Sequence, residues 1–223
     1  MTNLGTHGKS ILLIPDRSNL AAAQQFHDAD LSDCISDVRV TPDAIGLGAA
    51  IAQTLETGDV RVLRQTPNTS PLNFLPAAFP ITHSKKLVAA HALLLALDGV
   101  PGVHWQHLNA TPQKTFESIA KLLRTRATHE AFASISLNQT LDLPAEILGV
   151  LRWADAPQLP LMMQRSKLVC LVNVSAQAQL VSLDWRTLLG TRHAIRDLVT
   201  GVRFNVHGPS LELQPYQVMW ATV

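Results

Sequence analysis

Charge is scarce in this chain. Asp, Glu, Lys and Arg make up 16% of its 223 residues, whereas ordinary soluble domains carry about 25%. The shortage hints that part of the surface is covered by something else. The basic residues are scattered singly or in pairs, and the net charge is +1. That argues against a nucleic-acid footprint, which wants clustered Lys and Arg. No run reaches the roughly 18 apolar residues of a membrane helix. Ile11-Leu12-Leu13-Ile14 is too short for a signal-peptide core and stops at Pro15. Cysteine is nearly absent, with only Cys34 and Cys170. Cys170 sits inside an apolar run and reads as a small buried hydrophobe. A reduced, cytoplasmic setting fits. The four Asn-x-Ser/Thr sequons, at Asn68, Asn109, Asn138 and Asn173, are then chance matches.

Familiar chemical motifs are missing too. There is no Gly-x-Ser-x-Gly elbow, no Cys-x-x-Cys and no phosphate loop. Gly46-Leu47-Gly48-Ala49-Ala50-Ile51 falls short of a dinucleotide fingerprint, because its sixth place is Ile and no acidic residue follows at the right distance. It reads as a glycine turn before a short helix. His104 and His107 lack a third partner for a catalytic zinc. Asp28, Asp30 and Asp33 fail the calcium-loop spacing, its Gly and its closing Glu. No metal and no cofactor is expected.

What is present changes character along the chain. Residues 1–40 are weakly patterned, with a short helix through Ala21–Phe26 and a candidate strand at Val38-Arg39-Val40. Ala49–Leu55 reads as a short helix ending near Gly58. Residues 64–82 hold Pro67, Pro71, Pro76 and Pro80 and read as a loop. Lys85–Leu97 is apolar all round, the signature of a buried helix. A buried strand over Val100–Trp105 follows, then a helix with Phe116, Ile119, Ala120 and Leu123 on one face. From about residue 132 the period becomes that of strands: Ile135–Leu143, Ile147–Trp153, Leu168–Val174, Leu180–Trp185, Ile195–Val199 and Leu211–Trp220. In the last of these the parity flips at Pro215, which predicts a bulge or break. The chain is therefore α/β in its first part and all-β in its last.

Three segments carry a resemblance. Thr41-Pro42-Asp43-Ala44-Ile45-Gly46-Leu47 is similar to a barrel's seventh-strand motif. Lys86–Trp105, holding Gly99-Val100-Pro101-Gly102-Val103, is similar to a seventh helix and eighth strand. Asn173-Val174-Ser175, Asp197-Leu198 and Pro215-Tyr216-Gln217-Val218-Met219-Trp220 resemble a C-terminal β-domain. Together they resemble glycoside hydrolase family 13, the α-amylase superfamily, and within it the sucrose phosphorylase group. The likeness covers roughly residues 36–223.

The resemblance implies the last strands and helices of a (β/α)8 barrel over residues 1–130 and an antiparallel β-sandwich over residues 131–223. It implies α-glucosyl transfer or hydrolysis in the parent family, by an Asp nucleophile, a Glu acid/base and a third, stabilising Asp. Only the third has a counterpart here, Asp43, and its motif is altered: Pro42 replaces the preceding His and Ala44 the following Gly. Asp43 is either a vestigial transition-state stabiliser or an ordinary Asp. Retaining chemistry needs two carboxyl groups about 5–5.5 Å apart, and a whole barrel takes about 250 residues. The chain by itself is expected to be inactive. Its expected partners are a chain carrying the missing barrel strands, or a second copy of itself, and a sugar in the parent family. The alternative is a non-enzymatic sandwich module that binds carbohydrate or protein. Trp105, Trp153, Trp185 and Trp220 are a candidate sugar platform, but core packing of the sandwich is the favoured reading for Trp185 and Trp220.

Overall fold

Helix α1 begins at Pro42 and runs to Thr57. Proline suits this place, because its fixed φ matches the helix and its missing N–H has no partner in the first turn. The computed structural model of the chain describes residues 42–65, 72–75, 83–102, 111–132, 136–154, 166–190, 194–205 and 210–223. The expected features at Ala21–Phe26 and Val38–Val40 lie outside these residues. Leu47, Ile51 and Leu55 recur at helical spacing on α1 and are all buried. That periodicity explains why the stretch expected as a strand motif, and the glycine turn expected at Gly46–Gly48, are helical instead. The helix stops at Gly58, whose φ of 72° is left-handed and whose N–H bonds to the Thr54 carbonyl at 2.9 Å.

A short helix α2 (Arg61–Gln65) precedes strand β1 (Leu72–Phe74). The proline-rich stretch around β1 hid this strand from sequence reasoning, which treated residues 64–82 as loop. Helix α3 (Ser84–Ala96) follows, then strand β2 (Val100–Gly102). β1 and β2 are parallel, with Leu72 opposite Val100 and Phe74 opposite Gly102. A parallel pair needs a crossover, and α3 supplies it. Nine of the 13 residues of α3 are buried, among them Leu93, Leu94 and Leu95, as its all-round apolar surface predicted. Helix α4 (Gln113–Thr128) packs beside it and buries Thr115, Ile119 and Leu122. The expected stripe is thus rotated by about one position: Ile119 is central, while Phe116, Ala120 and Leu123 sit half-buried at its flank.

After a 3-10 turn at Glu130–Phe132 come the strands of the last part. They are β3 (Ser136–Thr140), β4 (Ile147–Ala154), β5 (Lys167–Asn173) and β6 (Gln179–Ser182). Helix α5 (Trp185–Leu189) then precedes β7 (Ala194–Asp197), β8 (Arg203–Asn205), β9 (Ser210–Leu213) and β10 (Val218–Thr222). Six of them form one sheet in the order β3-β4-β5-β10-β7-β8, and β6 pairs with β9 in a separate two-stranded sheet. The contacts within both sheets are antiparallel. The break predicted at Pro215 is real. It sends β9 to one sheet and β10 to the other, around a turn closed by Gln217 N–H on the Gln214 carbonyl at 3.0 Å. The strand expected over Leu180–Trp185 ends early, at Ser182. There Asp184 accepts hydrogen bonds from the backbone N–H groups of Arg186 and Thr187 and starts α5, as a good N-cap does.

The central strands β4, β5 and β10 of the six-stranded sheet are covered on both faces, which explains why Leu168–Val174 lacks polar alternation. On one face Leu148, Val150, Leu168, Cys170, Val172, Val218 and Trp220 share a core with α1, α3 and α4. On the other, Ile147, Leu151, Val169, Leu171, Met219 and Ala221 pack against Val181, Leu183, Trp185, Leu189 and Leu213. The order of layers is helices, sheet, then the β6–β9 ribbon with α5. Thr41–Val223 forms one unit. The first core therefore crosses residue 130, where a domain boundary was expected. β4 passes close to the β3–β4 connection at Gly149: a Cβ there would stand 2.5 Å from Leu143 Cδ1 and 3.2 Å from Leu141 Cβ, so the Leu143 side chain would have to shift.

Candidate functional site

In barrels built of parallel strands, chemistry sits at the strands' C-terminal ends. Among the described residues the parallel strands are β1 and β2. β1 runs through Phe74 to the buried Leu75, and the sequence continues Pro76-Ala77-Ala78-Phe79-Pro80, without a carboxylate. β2 ends at Gly102. Asp43 belongs to neither strand. It lies in the first turn of α1, and the strand that feeds α3 and pairs with β2 is Leu72–Phe74. The motif expected to hold Asp43 at a strand end is thus helical. Asp28, Asp30, Asp33, His104, Trp105 and His107 lie outside the described residues.

The other carboxylates with described contacts have structural tasks. Asp197 is 1% exposed. It accepts hydrogen bonds from the backbone N–H groups of Val199, Thr200 and Trp220 and from the Thr200 hydroxyl, at 2.6–3.1 Å. A buried carboxylate with four donors is fully satisfied and ties the turn after β7 to β10. Asp184 caps α5, and the Thr187 hydroxyl and the backbone N–H groups it accepts from hold its carboxyl below the usual range. Asp59 pairs with Arg61, and that pairing lowers its pKa too. Among the described residues no group of three His, Cys, Asp or Glu is placed to hold a metal ion.

One polar cluster joins the helices to the sheet, and sequence reasoning missed it. Arg152, 3% exposed, sends Nε to the Ala131 carbonyl at 3.2 Å, Nη1 to that of Ala96 at 2.9 Å and Nη2 to Asp98 Oδ1 at 3.1 Å. Arg126 bonds to the carbonyls of Leu95, Leu97 and Gly99. Two guanidiniums thereby take up the free carbonyls at the C-terminus of α3, a place where cations are favoured. Their carbons lie 4.8 and 4.9 Å from the centre of the Phe132 ring, within cation–π range. Burial, and then the charge of Arg152, lower the pKa of Arg126 to about 10. The one clue in the sequence was a lone Arg inside the apolar run Ile147–Ala154.

Two other polar features tie elements of the fold together: Asn173 joins β5 to the β6–β9 ribbon, and Tyr216 reaches the start of α3. Asn173, fully buried, donates to the carbonyls of Gln177, Leu213 and Gln214, while its side-chain oxygen accepts from Ser175. Its sequon is therefore closed to glycosylation in the folded chain. Tyr216 has φ of 57°, rare for a residue with a side chain. Its ring lies near His83 and under the Lys86 ammonium, 5.2 Å from centroid to nitrogen, at the start of α3. Burial pushes the Cys170 thiol up to about 12, so it is inert at neutral pH.

Trp185 and Trp220 pack in the cores, the reading favoured for them over a sugar platform. They are 3% and 0% exposed, and lie in the second and first cores respectively. Trp153 is half-buried against the second core.

No family model matches the sequence, and no curated protein does. Solved structures do match. An Anoxybacillus α-amylase superposes with a TM-score of 0.60 at 12% identity, over 78% of this chain and 45% of that one. The Geobacillus thermoleovorans α-amylase complexed with acarbose gives 0.58 at 13% identity, over 87% and 50%. The gamma-CGTase from alkalophilic Bacillus clarkii gives 0.61 at 16% identity, over 79% and 31%. This chain thus spans half or less of the length of these structures. At such identity the likeness is one of fold: a mixed α/β body with a six-stranded antiparallel sheet, shared with α-amylase structures.

Proposed function

We propose that these residues form the later portion of an α-glucosyl enzyme of the α-amylase type, and that by themselves they catalyse no glycosyl transfer. One observation carries the reading. The parallel unit β1-α3-β2 runs on into an antiparallel sheet, a fold shared with an α-amylase over 78% of this chain and with a gamma-CGTase over 79%. The chemistry of the parent would be transfer or hydrolysis of an α-glucosyl group, and Lys86–Trp105 and Pro215–Trp220 favour the sucrose phosphorylase group within it. Asp43 takes no part, because it stands at the start of a helix instead of at the end of β1. The assay is turnover of sucrose, maltotriose and an aryl α-glucoside by the purified chain, with and without inorganic phosphate. None is expected above buffer. Release of glucose or glucose 1-phosphate that scales with protein and survives repurification overturns the reading.

A partner completes the parallel part in this account. β1 and β2 form a two-stranded parallel sheet, and parallel sheets are ordinarily covered on both faces and paired along their edges. A polypeptide that supplies neighbouring parallel strands, from a longer form of this protein or from a separate one, is the occupant proposed. Co-expression with the upstream coding segment, followed by co-purification and amide exchange at Leu72–Leu75, tests it. Unchanged exchange there in a purified complex counts against it.

A further inference from the structure

We propose that Arg196 and Arg203 form an oxyanion-binding site on the six-stranded sheet, one that takes a phosphate group, free or as a monoester. The two arginines stand apart in the sequence, and the fold brings them together. β7 and β8 pair antiparallel with Arg196 directly opposite Arg203. The neighbouring position in the ladder is hydrogen-bonded, since the Asp197 N–H donates to the Val202 carbonyl at 2.9 Å. Positions alternate along an antiparallel ladder, so Arg196 and Arg203 occupy a non-hydrogen-bonded one, where Cα atoms are about 4.5 Å apart and side chains come closest. Cross-strand partners project from the same face. Ile195 and Phe204 join the second core from the other face. Both guanidiniums therefore rise on the side of the sheet that carries the helices, and both residues are exposed there.

Like charges directly opposite on neighbouring strands repel, and the described residues supply nothing to offset this pair. Neither guanidinium has a carboxylate partner among them. Residues 198–202 and the whole of β10 carry no charged side chain. The acid next in sequence, Asp197, is buried and already engaged by four donors. The other close pair of guanidiniums, Arg126 and Arg152, is quenched by backbone carbonyls and by Asp98. Arg196 and Arg203 have no such acceptors among the described residues. Each presents five N–H donors in a planar fork that matches the oxygens of a phosphate. A doubly charged group neutralises both at once, whereas a carboxylate neutralises one. Water screens an exposed site, so binding is weak, with a dissociation constant on the order of 1 mM. The site owes nothing to the glycosyl chemistry proposed above.

The experiment is calorimetric titration of the full chain with inorganic phosphate, glycerol 2-phosphate and acetate at constant ionic strength, with nitrogen-15 spectra of the arginine Nε–H groups. One phosphate per chain is expected, and the Nε–H signals of Arg196 and Arg203 should move together with one midpoint. Binding of both phosphates supports a site for phosphate groups at large, and binding of the inorganic ion alone supports a site for free phosphate. Arg196→Gln and Arg203→Gln should each weaken binding at least about tenfold, and acetate should bind at least about tenfold more weakly than phosphate. Arg124→Gln, at an exposed position on α4, should leave binding unchanged. Failure of phosphate to saturate by about 20 mM overturns the proposal. So does binding that survives both Arg196→Gln and Arg203→Gln, acetate binding as tight as that of phosphate, or spectra in which other arginines move instead. The spectra use the unaltered chain, so the proposal stays exposed even if a variant misfolds.

Discussion

Replacing Arg152 by Met tests whether the helices and the sheet are held as one body. The side chain is 3% exposed and its three hydrogen bonds reach the Ala96 and Ala131 carbonyls and Asp98. Methionine keeps most of the volume, so the loss is polar. Two backbone carbonyls lose a charged donor, at about 1.5–3 kcal/mol each when buried. Asp98 is 56% exposed and takes water instead, so its share is small. The expected cost is about 3–5 kcal/mol, whereas Asp98→Asn should cost less than about 1 kcal/mol. Urea unfolding followed by circular dichroism reads both, with similar slopes if unfolding stays two-state. Loss in Arg152→Met of less than about 1 kcal/mol, or an equal loss in Asp98→Asn, would refute the argument from buried carbonyls. A double variant with Arg126→Met should cost more than the sum of the singles, because the two guanidiniums repel one another across Phe132 and each single replacement already relieves that repulsion.

Three further outcomes follow from the same structure. Asp197→Asn keeps one acceptor oxygen but faces the Thr200 donors with an amide, and should cost about 2–4 kcal/mol by thermal unfolding; a shift within error would show that water replaces the lost bonds. At position 216, where φ is 57°, Tyr216→Gly should be more stable than Tyr216→Ala by about 1 kcal/mol, the reverse of the order in a helix. In a Cys34→Ser background, Cys170 should resist a disulfide reagent at pH 8 until the chain is unfolded. Its folded pKa of about 12 lies above the unfolded value near 9, so its contribution is intact below about pH 9 and is lost as pH rises toward 12. Prompt labelling of the native chain would show that the sheet opens locally.

The helices and strands that bury long apolar runs were legible in the sequence. α3 announced itself by having no polar side, and β4, β5 and β10 by β-branched and aromatic runs between turn residues. The break at Pro215 followed from one missing N–H. What failed was decided by local capping or by tertiary contact. Asp184 converts the end of an apparent strand into α5. Pro42 and the spacing of Leu47, Ile51 and Leu55 make a helix of a stretch whose letters resemble a strand motif. β1 is three residues among prolines, and only its pairing with β2 defines it. Asp43 was matched by likeness of letters alone, and its backbone lies in the first turn of α1. The arginine pair under Phe132 was unreadable, because it joins residues far apart in sequence whose partners are backbone atoms.

A retaining enzyme forms a covalent glycosyl ester on a carboxylate, so the most direct measurement is an attempt to trap one. The purified chain is incubated with 5-fluoro-α-glucosyl fluoride, and its intact mass is recorded. No adduct is expected, because β1 is followed by no acidic residue and the buried Asp197 is fully engaged by structural donors. A stoichiometric glycosyl adduct that maps to a single Asp or Glu would contradict the account.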